Sequence, residues 1–201
     1  MNGIAALFLA WAIALPGLAF GVELEPLIEN CDGCHGSQGD SSDSDIPTIA
    51  GQTAEYIARN LHSYQIWGRP CYKSTFRHGD ISRAVTTMCE VSSGLANDDI
   101  EALAAYYAGQ KFVAAKQAFD ESKAAAGAPL HERQCASCHP RGGSISARGP
   151  ILAGQWLPYL KKAARRMTSK EHRMPPLLEK PLADFSDEEI DALMNYYASQ
   201  Q

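Results

Sequence analysis

Beyond its first twenty residues the chain has no apolar run long enough to cross a bilayer. That excludes a polytopic helical membrane protein. Positive charge is also short, with 18 Lys and Arg against 23 Asp and Glu and a net charge of −5. Such a balance makes nucleic acid a poor partner. There is no G-x-G-x-x-G, so the chain brings no dinucleotide or flavin fingerprint of its own. No stretch alternates convincingly between apolar and polar residues, which argues against a sheet. Methionine is scarce: after Met1 there are Met88, Met167, Met174 and Met194. What remains is an ordinary globular composition, 45% apolar and 20% charged.

The apolar residues Ile4 to Phe20 are followed by small residues, with Gly17/Ala19 or Ala19/Gly21 fitting a small-x-small cleavage site. Residues 1–21 therefore read as an export signal, placing the mature chain in the periplasm, an oxidising compartment. No Lys or Arg precedes the run, so an uncleaved anchor is the competing reading. Pro16 and the short span argue against the anchor. The remaining charge is uneven, −7 over residues 22–113 and +2 over 114–201. The cluster Lys161, Lys162, Arg165, Arg166, Lys170 and Arg173 is either a solvated helix face or a docking patch.

The chain repeats itself. Cys31-x-x-Cys34-His35, Pro47-Thr-Ile-Ala-Gly51-Gln52 and Ile100-x-x-Leu103-x-x-Tyr106-Tyr107 recur in order. The second copy reads Cys135-x-x-Cys138-His139, Pro150-Ile-Leu-Ala-Gly154-Gln155 and Ile190-x-x-Leu193-x-x-Tyr196-Tyr197. Two similar all-α domains are expected, at 22–113 and 114–201. Helical spacing predicts a short turn from Leu24 into Cys31, a helix over 54–66, and a closing helix in each half. A longer helix is expected from about Lys116 to Cys135. Ser186 and Glu189 fit a capping box, and Asn97 and Asp98 offer caps for the first closing helix.

The Cys-x-x-Cys-His spacing carries a specific chemistry. Two thiols three residues apart on a helical turn share one face. They can add to the two vinyl groups of one haem, and the adjacent His then reaches the iron. Structural zinc does not require a His directly after each pair, and the pairs lie about a hundred residues apart. Two haem c groups are therefore expected, on Cys31/Cys34 with His35 and on Cys135/Cys138 with His139. Methionine sulfur suits the opposite axial position. In the first half Met88 is the one candidate. In the second, Met174 in a Met-Pro-Pro loop is preferred to Met167, and Met194 falls within the closing helix as core. The other histidines, His62, His78, His131 and His172, read as surface or core residues. Filled axial positions leave no substrate site, so the chain is an electron carrier, not an enzyme.

Cys71 and Cys89 belong to neither haem motif. In an oxidising compartment a disulfide closing a loop of about 18 residues is expected, beside Met88. A soft-metal site, such as copper with His78, is the alternative.

Tandem Cys-x-x-Cys-His domains of this kind resemble the dihaem class I cytochromes c. The second half adds Leu130-His131-x-x-x-Cys135, Ile151-Leu-Ala-Gly154-Gln155-Trp156-x-Pro158-Tyr159-Leu160 and the ending Tyr197-Ala-Ser-Gln-Gln201. These blocks resemble the cytochrome subunit of flavocytochrome c sulfide dehydrogenase. That resemblance implies a heterodimer with an FAD-binding sulfide dehydrogenase flavoprotein, from which electrons pass through haem to an external acceptor. It also implies that His35 and Met88 hold one iron, and His139 and Met174 the other. The Cys71/Cys89 pair departs from the family pattern. The alternative is a free-standing periplasmic dihaem shuttle serving a terminal oxidase.

Overall fold

The computed structural model describes residues 23–147, 149–168, 182 and 184–201. The proposed export signal lies outside them, as do Met174, His172, Lys170 and Arg173. Among the described residues the architecture is helical, in two tandem bodies.

In the first body α1 (Leu24–His35) extends through the whole Cys-x-x-Cys-His motif, further than the short turn expected. A 3-10 turn (Ser37–Gly39) and an extended loop lead to α2 (Ala54–Gln65). Thr53 caps α2, its hydroxyl accepting from the Tyr56 N–H at 3.2 Å. α3 (Met88–Ser93) and α4 (Asn97–Ala108) complete the body. Ile57, Ala58 and Leu61 of α2 close against Ile100, Leu103, Ala104 and Tyr107 of α4, with Leu27 and Ile28 of α1 at the edge. Each fully buried Ile or Leu contributes about 1.5–3 kcal/mol. The closing helix is capped differently from expectation. Ala96 is the capping position, and its N–H donates to the Asp99 carboxylate at 2.8 Å.

Between α2 and α3 lies the insert that makes the first half longer than the second between the shared blocks. It holds the one sheet among the described residues, a two-residue hairpin of β1 (Lys73–Ser74) and β2 (Thr86–Thr87), antiparallel with Lys73 opposite Thr87. Such a short ladder is invisible to an alternation test.

In the second body α5 (Glu121–Leu130) starts after Asp120, whose carboxylate accepts from the Lys123 N–H at 3.1 Å. The long helix expected from Lys116 is shorter at its start and changes pitch near its end. Pro129 has no N–H to continue the ladder, and residues His131–Cys135 form a π turn, with Ala136 N–H donating to His131 O at 3.0 Å. α6 (Leu157–Thr168) and α7 (Asp187–Ala198) close the body. Ser186 and Glu189 form the expected capping box. α5 and α7 cross closely: a Cβ on Gly127 would lie 2.3 Å from Ala192 O. Leu130, Leu160, Ala164, Ile190, Leu193 and Tyr197 fill the core, together with Met194.

The two bodies meet through the repeated Pro-x-x-Ala-Gly-Gln segments. Gln52 Nε2 donates to Ile151 O at 3.4 Å, and Ile151 N–H donates to Gln52 Oε1 at 2.9 Å. Reciprocally, Gln155 Nε2 donates to Thr48 O at 2.6 Å, and Thr48 N–H donates to Gln155 Oε1 at 3.2 Å. Both glutamines are 3% exposed, and burial without partners would cost each polar group about 1–3 kcal/mol. Trp156 adds an indole N–H to Ser41 O at 2.7 Å.

Candidate haem-binding sites

Cys31, Cys34 and His35 occupy the last turn of α1, so both sulfurs and the imidazole emerge beside one another. The helix stops directly after His35 because Gly36 has φ 77°, and a Cβ there would meet Asp40 O at 2.2 Å. Inside the motif, Gly33 is required by packing. Its virtual Cβ would be 2.7 Å from the Phe76 ring, and its carbonyl accepts the Arg77 N–H at 2.7 Å. The insert thus lies directly on the first motif. Burial pushes the Cys31 thiol up to about 11.

The two motif histidines are anchored alike. His35 Nδ1 lies 2.9 Å from Pro47 O, and His139 Nδ1 lies 2.9 Å from Pro150 O. A carbonyl can only accept, so each Nδ1 carries the hydrogen and each Nε2 keeps its lone pair for a metal. Burial holds both imidazoles below the ordinary histidine value, favouring the neutral form that can ligate iron. At the second site a Cβ on Gly149 would be 2.3 Å from His139 Cε1 and 2.8 Å from Nε2. The ring therefore rests on bare backbone. Two thiols and one oriented imidazole on a single helical turn are a donor set that fits covalent haem c at both sites.

Met88 opens α3 and packs against the first core, held by Thr87, whose hydroxyl accepts the Glu90 N–H at 3.1 Å. Cys71 and Cys89 are bonded to each other, with Cα atoms 5.6 Å apart, which removes the thiolates a copper site would need. The bridge ties the insert to the residue next to Met88. In the second body Met167 lies on the last turn of α6 and Met194 is in the core. Met174 lies outside the described residues. His62 pairs with Gln65, and His78 lies 3.1 Å from the Asp43 carboxylate. His131 is fully buried, its Nδ1 3.0 Å from the Tyr197 hydroxyl and its Nε2 without a hydrogen-bond partner.

Sequence reasoning named every residue of the two motifs but assigned no role to Gln52 and Gln155. Their recurrence in both copies was the available signal. It likewise missed Tyr107, whose hydroxyl donates to Asp32 at 2.8 Å and fastens α4 to the first motif.

Among the described residues no helix is long and apolar enough to cross a membrane. The family "Cytochrome c" matches residues 26–110, and "Cytochrome C oxidase, cbb3-type, subunit III" matches residues 122–196. A cytochrome c4 of Pseudomonas aeruginosa is 29% identical over 181 residues, 83% of this chain and 81% of the relative. Cytochrome c-554(548) of Halomonas halodenitrificans is 30% identical over 87 residues, 43% of this chain and 92% of the relative. Reduced cytochrome c4 from Pseudomonas stutzeri superposes with a TM-score of 0.70 at 24% identity, covering 89% of this chain and 99% of that one. A thiosulfate dehydrogenase from Marichromatium purpuratum gives a TM-score of 0.66 at 25% identity, covering 85% of this chain and 36% of that one. With two helical bodies, each built around a thiol–thiol–imidazole turn, the chain belongs to the cytochrome c family as a dihaem, class I electron-transfer protein similar to cytochromes c4.

Proposed function

We propose that the chain is exported and works as a free-standing periplasmic shuttle. It would take electrons from one protein and deliver them to an external acceptor such as a terminal oxidase. Cys31 and Cys34 would bind one haem c, with His35 and Met88 holding its iron, and Cys135 and Cys138 would bind the other, with His139 and Met174. The observation that carries this reading is the matched anchoring of both imidazoles, each with Nδ1 on a proline carbonyl at 2.9 Å and Nε2 left for iron. Each haem supplies a one-electron couple at its iron. The protein's part is to hold that iron in one coordination in both oxidation states, so that little rearranges on transfer. The proline carbonyls fix the imidazoles, the Cys71–Cys89 bridge fixes the Met88 segment, and the closing helices wall the cores against water.

The free-standing reading is supported by the likeness to a cytochrome c4, 29% identical over 83% of this chain. A second reading is the electron-accepting subunit of an FAD-binding sulfide dehydrogenase. It is supported by the second-half blocks described above. The thiosulfate dehydrogenase match, in which a similar unit makes up 36% of a longer chain, also associates this fold with a sulfur-oxidising enzyme.

Isolation of the native protein decides between them. We expect a single exported polypeptide carrying two haems by mass and no flavin absorbance. Both ferric haems should show the far-red sulfur-to-iron band. Co-purification of a stoichiometric flavoprotein, with haem reduction on adding sulfide, would establish the second reading. Fewer than two attached haems would overturn both.

A further inference from the structure

The peptide unit that anchors each proximal histidine is gripped from the other body. Pro47 O accepts from His35 Nδ1–H at 2.9 Å, and the N–H of the same peptide group, that of Thr48, donates to Gln155 Oε1 at 3.2 Å. Pro150 O accepts from His139 Nδ1–H at 2.9 Å, and its peptide N–H, that of Ile151, donates to Gln52 Oε1 at 2.9 Å. Two chains of hydrogen bonds result, each running from an imidazole through one peptide bond to a glutamine of the opposite body. All four outer residues are buried: Gln52, Thr48 and Gln155 at 3% exposure and Ile151 at 6%.

We infer that Gln155 and Gln52 are crossed positioning residues, each setting the reduction potential of the haem in the other body. The inference rests on the ligand reading above. Hydrogen bonds in series polarise one another, more so away from water. An acceptor on the peptide N–H draws charge toward the peptide oxygen, which then binds the imidazole Nδ1–H more strongly. Stronger donation from Nδ1–H gives the imidazole more anionic character and makes Nε2 a better donor to iron. That favours ferric over ferrous iron and lowers the potential. Docking of the two bodies thereby enters the electronics of both haems, without either glutamine touching a haem ligand.

The test uses the full exported chain with both haems, in the variants Gln155→Leu and Gln52→Leu. Redox titration is followed by NMR of haem methyl resonances assigned to each body. Gln155→Leu should raise the potential of the haem on Cys31/Cys34, and Gln52→Leu that of the haem on Cys135/Cys138. A change of up to about tenfold in the reduced-to-oxidised ratio at fixed potential is expected, ~59 mV for one electron. In the reduced protein the Nδ1–H resonance of the opposite histidine should move upfield in step. If the leucine variants do not mature with both haems, Gln155→Asn and Gln52→Asn carry the same test, since the shorter side chain withdraws the acceptor. No displacement, displacement of the haem in the substituted body, or equal displacement of both haems would overturn the inference. A wild-type protein lacking two histidine-ligated haems would instead overturn the ligand reading.

Discussion

Asp191 shows how a single side chain can join three elements. Its carboxylate accepts from Lys123 of α5 at 2.6 Å and from Lys161 of α6 at 2.6 Å, while its own backbone belongs to α7. The Lys123 hydrogen bond first, and the Lys161 bond second, hold its pKa below the ordinary value of 3.8. A folded-state pKa below the unfolded one stabilises above the unfolded value, and the contribution is lost as pH falls through the lowered value. The groups are partly exposed, so the effect is modest, about 0.5–1 kcal/mol. Asp191→Asn should therefore unfold more easily than the native protein at neutral pH, and the gap should close as pH falls from about 4, the value of an unfolded carboxylate, through the lower value of the folded one. Thermal unfolding midpoints of both proteins across that range check the sign. A gap that widens on acidification would contradict the assignment. Residues of this kind were not legible in the sequence, because Lys161 looked like one of several surface charges until the fold placed α7 beside it. The haem-motif residues were legible for the opposite reason: their chemistry is confined to five consecutive positions and needs no tertiary information.

At the scale of elements, α5 and its crossing with α7 carry the clearest consequences. Gly127 has no room for a methyl group, since the nearest atom would be a backbone carbonyl that cannot swing aside. Gly127→Ala should cost about 1–3 kcal/mol through overpacking, although alanine is the better helix former. Denaturant midpoints would reveal it, and an unchanged or raised midpoint would show that the crossing can relax. The insert gives a second prediction. Opening the Cys71–Cys89 loop by Cys71→Ser with Cys89→Ser should cost about 3 kcal/mol on the chain-entropy view. Because Cys89 adjoins Met88, the far-red band of the first haem should fade at lower temperature than in the native protein, while that of the second holds. Simultaneous loss of both bands would mean the bridge does not act locally on the Met88 segment. Periodicity revealed the helices here but misjudged their ends. The helix expected from Lys116 starts at Glu121, where Asp120 supplies the capping carboxylate, and gives way after Leu130, where Pro129 breaks the regular ladder. Capping and pitch are decided by one or two residues, which periodicity averages away.

For the whole molecule, the repeat foretold two bodies but not how they face each other. That arrangement depends on which polar groups find partners across the boundary, and a glutamine in a Gly-Gln pair looks like a loop residue until its amide is seen between two backbone groups. Four glutamine hydrogen bonds and the Trp156–Ser41 contact are buried or partly buried at the seam. Separating the bodies would expose all of these groups to water at once, so heat should unfold both halves in a single transition. Circular dichroism and the two haem absorbances would then share one midpoint, whereas two resolved midpoints would show the seam to be weak.

The reciprocal seam also constrains heredity. After a duplication, two copies ordinarily drift apart, each answerable only to its own core. Here each glutamine reads only the backbone of the opposite copy, at Thr48 and at Ile151, so the two glutamines recur in both copies while the residues they face already differ, Thr in one and Ile in the other.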